Sequence, residues 1–361
     1  MTLYWLLYGL LITSVVFDVR YSSVEVKRFI LLLLGLLFLL FRGLRWETGT
    51  DWGQYLNVFY SAQWDNIFSF HRYGDEFMEF GYVFLNVLIK SVFGHYSAFL
   101  LIVNAFVLIS YARFSWRFSL YPLIAFAILM LSYGFFPVRQ NLAIAIALYA
   151  FPYFFKRQHL GFVAVVLAAF SVHTSAIVLL FMYGLRKPFP VAFSLFASIA
   201  SFFLGAYIKT LLIGLAKLLS VFGGLFSNRI LVYLEFFTVE SNRGVAGMVL
   251  SLIFYLLFVL YRPRVSRDRL PVYNVFLNMF VLTAVISNLF SAYFVELGRI
   301  ASLFAFSGSV LLAELFHYVN KQESKLLVLG YFVLCCYLFY RFYGWLDFFP
   351  QVHFPYQLVT F

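Results

Sequence analysis

Apolar runs of helical length follow one another along almost the whole chain, most of them closed by a glycine, a proline or basic residues. The first covers Leu3–Phe17 and the second Phe29–Phe41, with the charged segment Asp18–Arg28 between them. Tyr96–Tyr111, Tyr121–Phe136, Asn141–Phe155, Val191–Ile208, Val245–Tyr261, Val272–Phe290, Ile300–Phe316 and Leu326–Tyr340 repeat the pattern. A helix needs about 20 apolar residues to cross a hydrocarbon core, so these runs predict spanning helices. Phe80–Phe93 is shorter and is expected as a re-entrant or tilted half-helix. Leu160–Val172 and Ser175–Tyr183 predict a short helical hairpin hinged at His173-Thr174. No segment alternates with the period of a barrel strand, and backbone groups in lipid must bond to one another, which leaves helices. The expectation is an all-α polytopic membrane protein with about 12 transmembrane helices, within a range of about 11 to 14.

Two longer polar stretches interrupt the spans. Residues 42–79 follow the second span and mix charge with aromatic rings. Residues 209–244 hold an amphipathic segment, Leu211–Phe226, and then Arg229, Glu235, Glu240 and Arg243. No compositional break separates a second domain, so residues 1–361 read as one transmembrane domain carrying two extramembrane loops.

Composition agrees with that pattern. Of 361 residues, 64% are hydrophobic and 11% charged, with a mean hydropathy of +0.91. A soluble domain carries about 25% charged residues, so a soluble fold is excluded. Thr2–Phe17 is followed by no small-residue cleavage site and reads as a first span. The adjacent Cys335 and Cys336 cannot bridge each other on a helix and carry no redox or metal signal. The net charge of +11 sorts by side. More than half of the 26 lysines and arginines lie in six short loops: Asp18–Arg28, Arg113–Arg117, Lys156–His159, Arg186–Lys187, Arg262–Arg269 and Lys321–Lys325. Alternation of the spans puts all six on one face if Phe80–Phe93 does not cross, and basic loops mark the cytoplasmic side. Loops 42–79 and 209–244 then face the other way.

On that opposite face the remaining charges gather into groups. One holds Arg45, Glu47 and Asp51 beside Trp46 and Trp52; a second is Arg139-Gln140 ahead of an apolar run; a third is His173-Thr174-Ser175; a fourth is Glu296 with Arg299. Ionisable groups at membrane depth are costly and are functional suspects. Each also has a plainer explanation. Arginines snorkel to the interface, tryptophans line it, a histidine packs, and Glu296 and Arg299 are spaced for an intrahelical ion pair. Arg42 reads as an interface anchor of that kind. Taken together, several arginines beside lipid suit an anion with a lipid tail, since guanidinium binds phosphate oxygens in pairs. A sugar carried on a polyprenyl diphosphate fits, because its transfer requires stabilising a departing pyrophosphate. A neighbouring carboxylate would take the acceptor's proton. No Asp-x-Asp or other metal motif, no glycine-rich phosphate loop and no serine-centred elbow is present, so no cofactor is expected.

At these residues the chain resembles the EpsG family of Wzy-type polysaccharide polymerases. Arg45-x-x-x-Gly49-x-Asp51-x-x-x-Tyr55 is similar to the family's R-x-x-x-G-x-D-x-x-x-Y. Glu79-Phe80-Gly81-Tyr82 resembles its E-P-G-F/Y, with Phe80 where proline is usual. Arg139-Gln140-x-Leu142-Ala143 resembles R-Q-x-L-A, and His173-Thr174-Ser175-Ala176 resembles H-x-S-A. The resemblance implies a GT-C-like membrane glycosyltransferase of the bacterial inner membrane with its active site facing the periplasm. It implies transfer of a growing glycan from undecaprenyl diphosphate to the non-reducing end of an incoming lipid-linked repeat unit. A flippase and a chain-length regulator would be its partners, with membrane lipid around it and no nucleic acid. Asp51, Glu79 and His173 are the catalytic candidates, Asp51 as the base with Glu79 next. Arg45, Glu47, Arg139, Gln140, Arg243 and Arg299 are the substrate-binding candidates. An O-antigen ligase is the nearest alternative, and a lipid-linked oligosaccharide flippase is the alternative of a different class, which internal two-half symmetry would favour.

Overall fold

The computed structural model describes residues 2–20, 23–49, 51–73, 76–133, 136, 138–220, 245–290, 295–322, 324–348 and 350–359. Arg243 and most of the 209–244 loop lie outside them, as does the side chain of Glu296. The described chain is almost wholly helical and divides into two units, residues 1–180 with 312–361, and residues 181–311.

In the first unit, α1 (Thr2–Arg20) and α2 (Val24–Gly43) run past the expected span limits and absorb most of the Asp18–Arg28 segment. The reason is a buried polar joint. Asp18, 1% exposed, pairs with Lys27 at 2.9 Å and accepts the backbone N–H groups of Leu123 (2.6 Å) and Ile124 (2.9 Å). Those two donors open α6 (Pro122–Ser132), whose own N-cap offers no side-chain bond. Asp18 therefore caps a helix about a hundred residues away, where a carboxylate also suits the positive end of the helix dipole.

Beyond α2 comes a two-residue strand, β1 (Arg45–Trp46), then α3 (Trp52–Ser61) and a small hairpin of β2 (His71–Tyr73) and β3 (Glu76–Phe77). β1 pairs antiparallel with β4 (Gln357–Leu358), so the aromatic tail returns to the stretch after α2. Helix α4 (Phe80–Phe93) has the bounds and shortness expected of it. Its Lys90 donates to the carbonyls of Tyr60 (3.0 Å) and Ala62 at the end of α3. Helix α5 (Tyr96–Phe118) is long and packs along α2. Arg28 sits 5.2 Å from the centre of the Trp116 ring, which brings the first two basic loops to the same end of that pair.

Two expected spans are shorter than their apolar runs. Tyr121–Phe136 yields only α6, and Asn141–Phe155 divides into α7 (Arg139–Leu148) and α8 (Ala150–Phe155). Pro152 has no N–H for the carbonyl four residues earlier, and its ring crowds that carbonyl. Helix α9 (His159–Val172) follows, and then residues Thr174–Leu185 wind as a tight 3₁₀ helix, through which the chain leaves the first unit.

The second unit holds α10 (Val191–Ser220), α11 (Val245–Tyr261), α12 (Leu270–Phe290) and α13 (Val295–Ala305). Asparagines fasten it. Asn278 Nδ2 donates to the carbonyls of Leu185 (2.8 Å) and Lys187 (2.7 Å), while its Oδ1 accepts the Phe189 N–H at 3.0 Å. Asn288 donates to the Ser198 carbonyl at 2.9 Å. Apolar packing between helices gains little over lipid contact, so such side-chain bonds give the helices their register. The chain then enters α14 (Ser307–Gln322), followed by α15 (Ser324–Phe348) and α16 (Pro350–His353) of the first unit.

Among the described residues six helices are long and apolar enough to cross a membrane: Thr2–Arg20, Tyr96–Phe118, Val191–Leu218, Val245–Arg264, Leu270–Phe290 and Gly298–His317. Phe80–Phe93, Pro122–Ser132, His159–Val172 and Thr174–Leu185 are apolar but shorter. The polytopic membrane class stands, with six such helices where about 12 were expected.

Candidate functional site

Two of the sequence groups, Arg139-Gln140 and His173-Thr174-Ser175, meet at one carboxylate, Glu79, in the first unit. Glu79 is the residue before α4, but its side chain does not cap that helix. Its Oε2 lies 2.6 Å from Arg139 Nη1, and its Oε1 accepts the backbone N–H of Thr174 at 3.0 Å. Arg139, the first residue of α7, also points Nη1 at Met78 Sδ, 3.0 Å away. Helix α7 begins without a side-chain cap, and Arg139 is its first residue. Gln140 follows in the same turn and is part-exposed.

His173 ends α9 in extended conformation, and Ser175 turns back on it. The Ser175 N–H donates to His173 Nδ1 at 3.3 Å, with Ser175 Oγ 2.8 Å from the same nitrogen. An N–H donor fixes Nδ1 as the acceptor and puts the neutral ring's proton on Nε2. The close approach of α4 to α9 depends on Gly81. A Cβ there would lie 2.3 Å from Ser171 Oγ and 2.7 Å from the Ser171 carbonyl oxygen.

The group around Arg45 packs differently from expectation. Arg45 is 2% exposed. Its Nη1 donates to the Thr48 carbonyl at 2.8 Å and its Nη2 to the Phe136 carbonyl at 3.0 Å, with the guanidinium 4.6 Å from the Phe136 ring centre. Burial pulls its pKa down, and the neighbouring Tyr96, Tyr356, Tyr82 and Tyr4 oppose that. In this conformation Arg45 pins the loop before α3 to the loop before α7. Gly49 lies under it at φ +107°, where a Cβ would come 2.6 Å from Arg45 Nη1. Only glycine meets both demands easily. Arg42 is not a snorkelling anchor: it is 1% exposed, and among the described residues its Nε and Nη1 have no hydrogen-bond partner. Glu47, exposed and also at positive φ (44°), shapes the same turn.

Asp51 is the residue before α3 and makes no side-chain cap to it. Among the described residues its part-exposed carboxylate has no hydrogen bond or ion pair. From Trp52, its neighbour in sequence, a run of rings extends to Tyr82: Trp46 on Trp52 (5.2 Å between centres), Trp52 on Tyr96 (5.0 Å), Tyr96 on Phe99 (5.8 Å), Phe99 on Tyr82 (5.8 Å) and Tyr82 on Tyr55 (5.7 Å). Tyr82 is also close enough to Arg139 to feel its charge. Beside this wall, on the outward side of α3, is a cavity of about 330 Å³. Gln54, Asn57, Ser61, Asn66, Ser69 and His71 supply amides, hydroxyls and a ring nitrogen to it, and Phe70 a flat apolar face.

The structure thus brings Glu79 and Arg139 together against the backbone of Thr174, with Gln140 and His173 their neighbours in sequence, while Asp51 lies before α3 next to Trp52. Arg299 lies on α13 of the second unit. Sequence reasoning missed the Thr174 N–H, the polar cavity and the return of the tail to β1. The spacing of Gln54, Asn57 and Ser61 on one helical face was the available signal for the cavity. Among the described residues no three His, Cys, Asp or Glu side chains converge in a way that would hold a metal ion.

Compared with known protein families, the chain matches the model of the EpsG family over residues 28–358. No curated protein and no solved structure matches it.

Proposed function

The chain belongs to the EpsG family, membrane proteins of polysaccharide biosynthesis, and from that premise we propose that it is the glycosyltransferase that elongates the polymer. Its substrates in this reading are undecaprenyl-diphosphate-linked oligosaccharides presented on the periplasmic face of the bacterial inner membrane. A hydroxyl at the non-reducing end of the incoming unit attacks the anomeric carbon of the growing glycan. The bond from that carbon to the pyrophosphate oxygen breaks, undecaprenyl diphosphate leaves, and the hydroxyl proton passes to Asp51.

The observation that carries this reading is the bridge from Glu79 to Arg139 and the Thr174 N–H, which gathers three separated motifs around one guanidinium at a helix N-terminus. A fixed cation at the positive end of a helix, in surroundings of low dielectric, suits a departing pyrophosphate. His173 adds a neutral N–H on Nε2. Asp51 suits the base because its carboxylate is otherwise uncommitted, whereas both oxygens of Glu79 are in use. Glu79 is therefore a positioning residue for Arg139. Amides and hydroxyls around a flat ring suit a neutral sugar, which makes the cavity beside α3 the acceptor side.

The test is purified protein with purified lipid-linked repeat units alone, read as a ladder of polymer. A ladder that Asp51→Asn abolishes supports the proposal. Translocation of the lipid without new glycosidic bonds, or a normal ladder from Asp51→Asn, overturns it.

A further inference from the structure

Away from the motifs, α2 and α5 leave a groove between them of about 520 Å³. Its walls are Leu31, Leu32, Leu36, Leu39, Leu108 and Ile109, and Gly35, Ala105 and Ala112 keep it deep. The wall is apolar except at one end, where Arg28 and Arg113 flank Trp116. The two guanidiniums are placed rather than loose: Arg28 rests over Trp116 at 5.2 Å and Arg113 over Tyr149 at 5.4 Å. The nearby carboxylate, Glu25, is held by Ser23 Oγ at 2.7 Å. Among the described residues neither arginine has a carboxylate within ion-pair distance.

We propose that this groove is a binding site for one anionic phospholipid, its phosphate between Arg28 and Arg113 and an acyl chain along Gly35. The dimensions agree. Arg28 to Leu39 on a helix rises about 16 Å, close to half of a hydrocarbon core about 30 Å thick, which is the depth one leaflet's chain occupies. The charge agrees too: Glu25 feels the charge of Arg28 but is bonded to Ser23 and forms no ion pair with it, so two guanidiniums outweigh one acid and favour phosphate-bearing anionic headgroups over zwitterionic ones. The ring of Trp116 sits where an interfacial aromatic meets a headgroup. The leaflet is the one on the side of the basic loops, opposite the face given to catalysis, so the site is independent of the glycan reading.

The experiment is native mass spectrometry of the full chain released from nanodiscs containing equal phosphatidylglycerol and phosphatidylcholine of matched chains. The expected result is one tightly retained phosphatidylglycerol. Arg28→Gln with Arg113→Gln removes the headgroup preference, at least tenfold, while leaving the protein folded, since both side chains are exposed. Gly35→Phe removes the retained lipid of either kind by filling the groove; a Cβ at Gly35 meets nothing within 4 Å, so the fold tolerates it. Equal retention of the two lipids by the wild type overturns the proposal, as does phosphatidylglycerol retained by Gly35→Phe. So does a dimer that Gly35→Phe dissociates with no loss of lipid, which would give the groove to a second copy.

Discussion

At the scale of single residues, the informative question is which charges are already committed. Glu79 spends one oxygen on Arg139 and the other on the Thr174 N–H, whereas Asp51 is committed to nothing among the described residues. Two carboxylates that sequence reasoning ranks side by side as bases therefore separate into different roles. Asp51→Asn is expected to lower kcat by about 10²–10⁴, the usual contribution of a general base, with KM for the donor unchanged. Glu79→Gln keeps an acceptor for Thr174 but loses the charge that aims Arg139, so kcat should fall only about tenfold while KM rises. Steady-state kinetics on lipid-linked repeat units separates the two patterns, and equal kcat losses with unchanged KM would undo the division. Arg42 poses the opposite case, a buried guanidinium with two nitrogens that lack partners among the described residues. An uncompensated buried charge is a liability. Arg42→Met should raise the thermal midpoint in detergent by about 1–2 °C for each kcal/mol relieved. A lower midpoint would mean that Arg42 has a stabilising partner in the folded protein.

At the scale of elements, the helices owe their ends and their spacing to a few polar or missing atoms. Asp18 caps α6 through Leu123 and Ile124 and neutralises Lys27 in a buried joint. Asp18→Ala leaves two helix N–H groups unpaired and takes the counter-charge from Lys27, whose ammonium keeps only the carbonyl of residue 18 at 2.8 Å, a loss of about 3–5 kcal/mol by analogy with broken buried ion pairs. Thermal midpoints should show it, with Asp18→Asn milder because an amide oxygen still accepts one N–H. Equal stability of wild type and Asp18→Ala would mean that the joint contributes nothing. Gly81 does the same for the approach of α4 to α9. Gly81→Ala puts a methyl against the Ser171 carbonyl as well as its hydroxyl. Ser171→Ala should therefore fail to rescue it, and the pair of helices should shift at a cost of about 1–3 kcal/mol. Hydropathy carries the existence of these helices well: α4 and α9 match or nearly match their apolar runs. It cannot carry their breaks. The run Asn141–Phe155 reads as continuous because Phe, Pro and Tyr are all admissible in lipid, yet the chain divides it near Tyr149, ahead of Pro152. Likewise Asp18 has the look of a loop charge in the sequence because its partners on α6 lie about a hundred residues away.

At the scale of the whole chain, the class is legible from bulk properties and the site from short motifs, because both are local in sequence. The illegible part depends on long-range return of the chain. Arg45 was expected to face a ligand, but its two carbonyl partners are set by a loop ninety residues on, at Phe136, as well as by Thr48. The aromatic tail carries no motif that ties it to a distant segment, yet it closes over the same stretch. Gln357–Leu358 pairs with Arg45–Trp46, the Val359 N–H donates to the Leu44 carbonyl at 2.9 Å, and Tyr356 Oη donates to the Phe41 carbonyl at 2.6 Å. Tyr356 also stacks on Phe41 at 4.8 Å, and Tyr4 Oη reaches the His353 carbonyl at 2.8 Å. The tail thus clamps β1 from outside while Phe136 holds Arg45 from within, and Asp51 sits at the end of the clamped turn. A chain ending after Phe349 loses the short α16 but keeps the longer helices and the Glu79 bridge, and it releases β1. It should still insert and elute as a folded protein, with amide exchange over Arg45–Thr48 accelerated at least tenfold and polymer formation lost. Tyr356→Phe, which removes one hydrogen bond and keeps the stacked ring, should weaken activity far less. If the shortened chain polymerises normally while exchange at Arg45–Thr48 accelerates, the turn that carries Asp51 does not need its clamp, and Asp51 would have to be held by α3 alone.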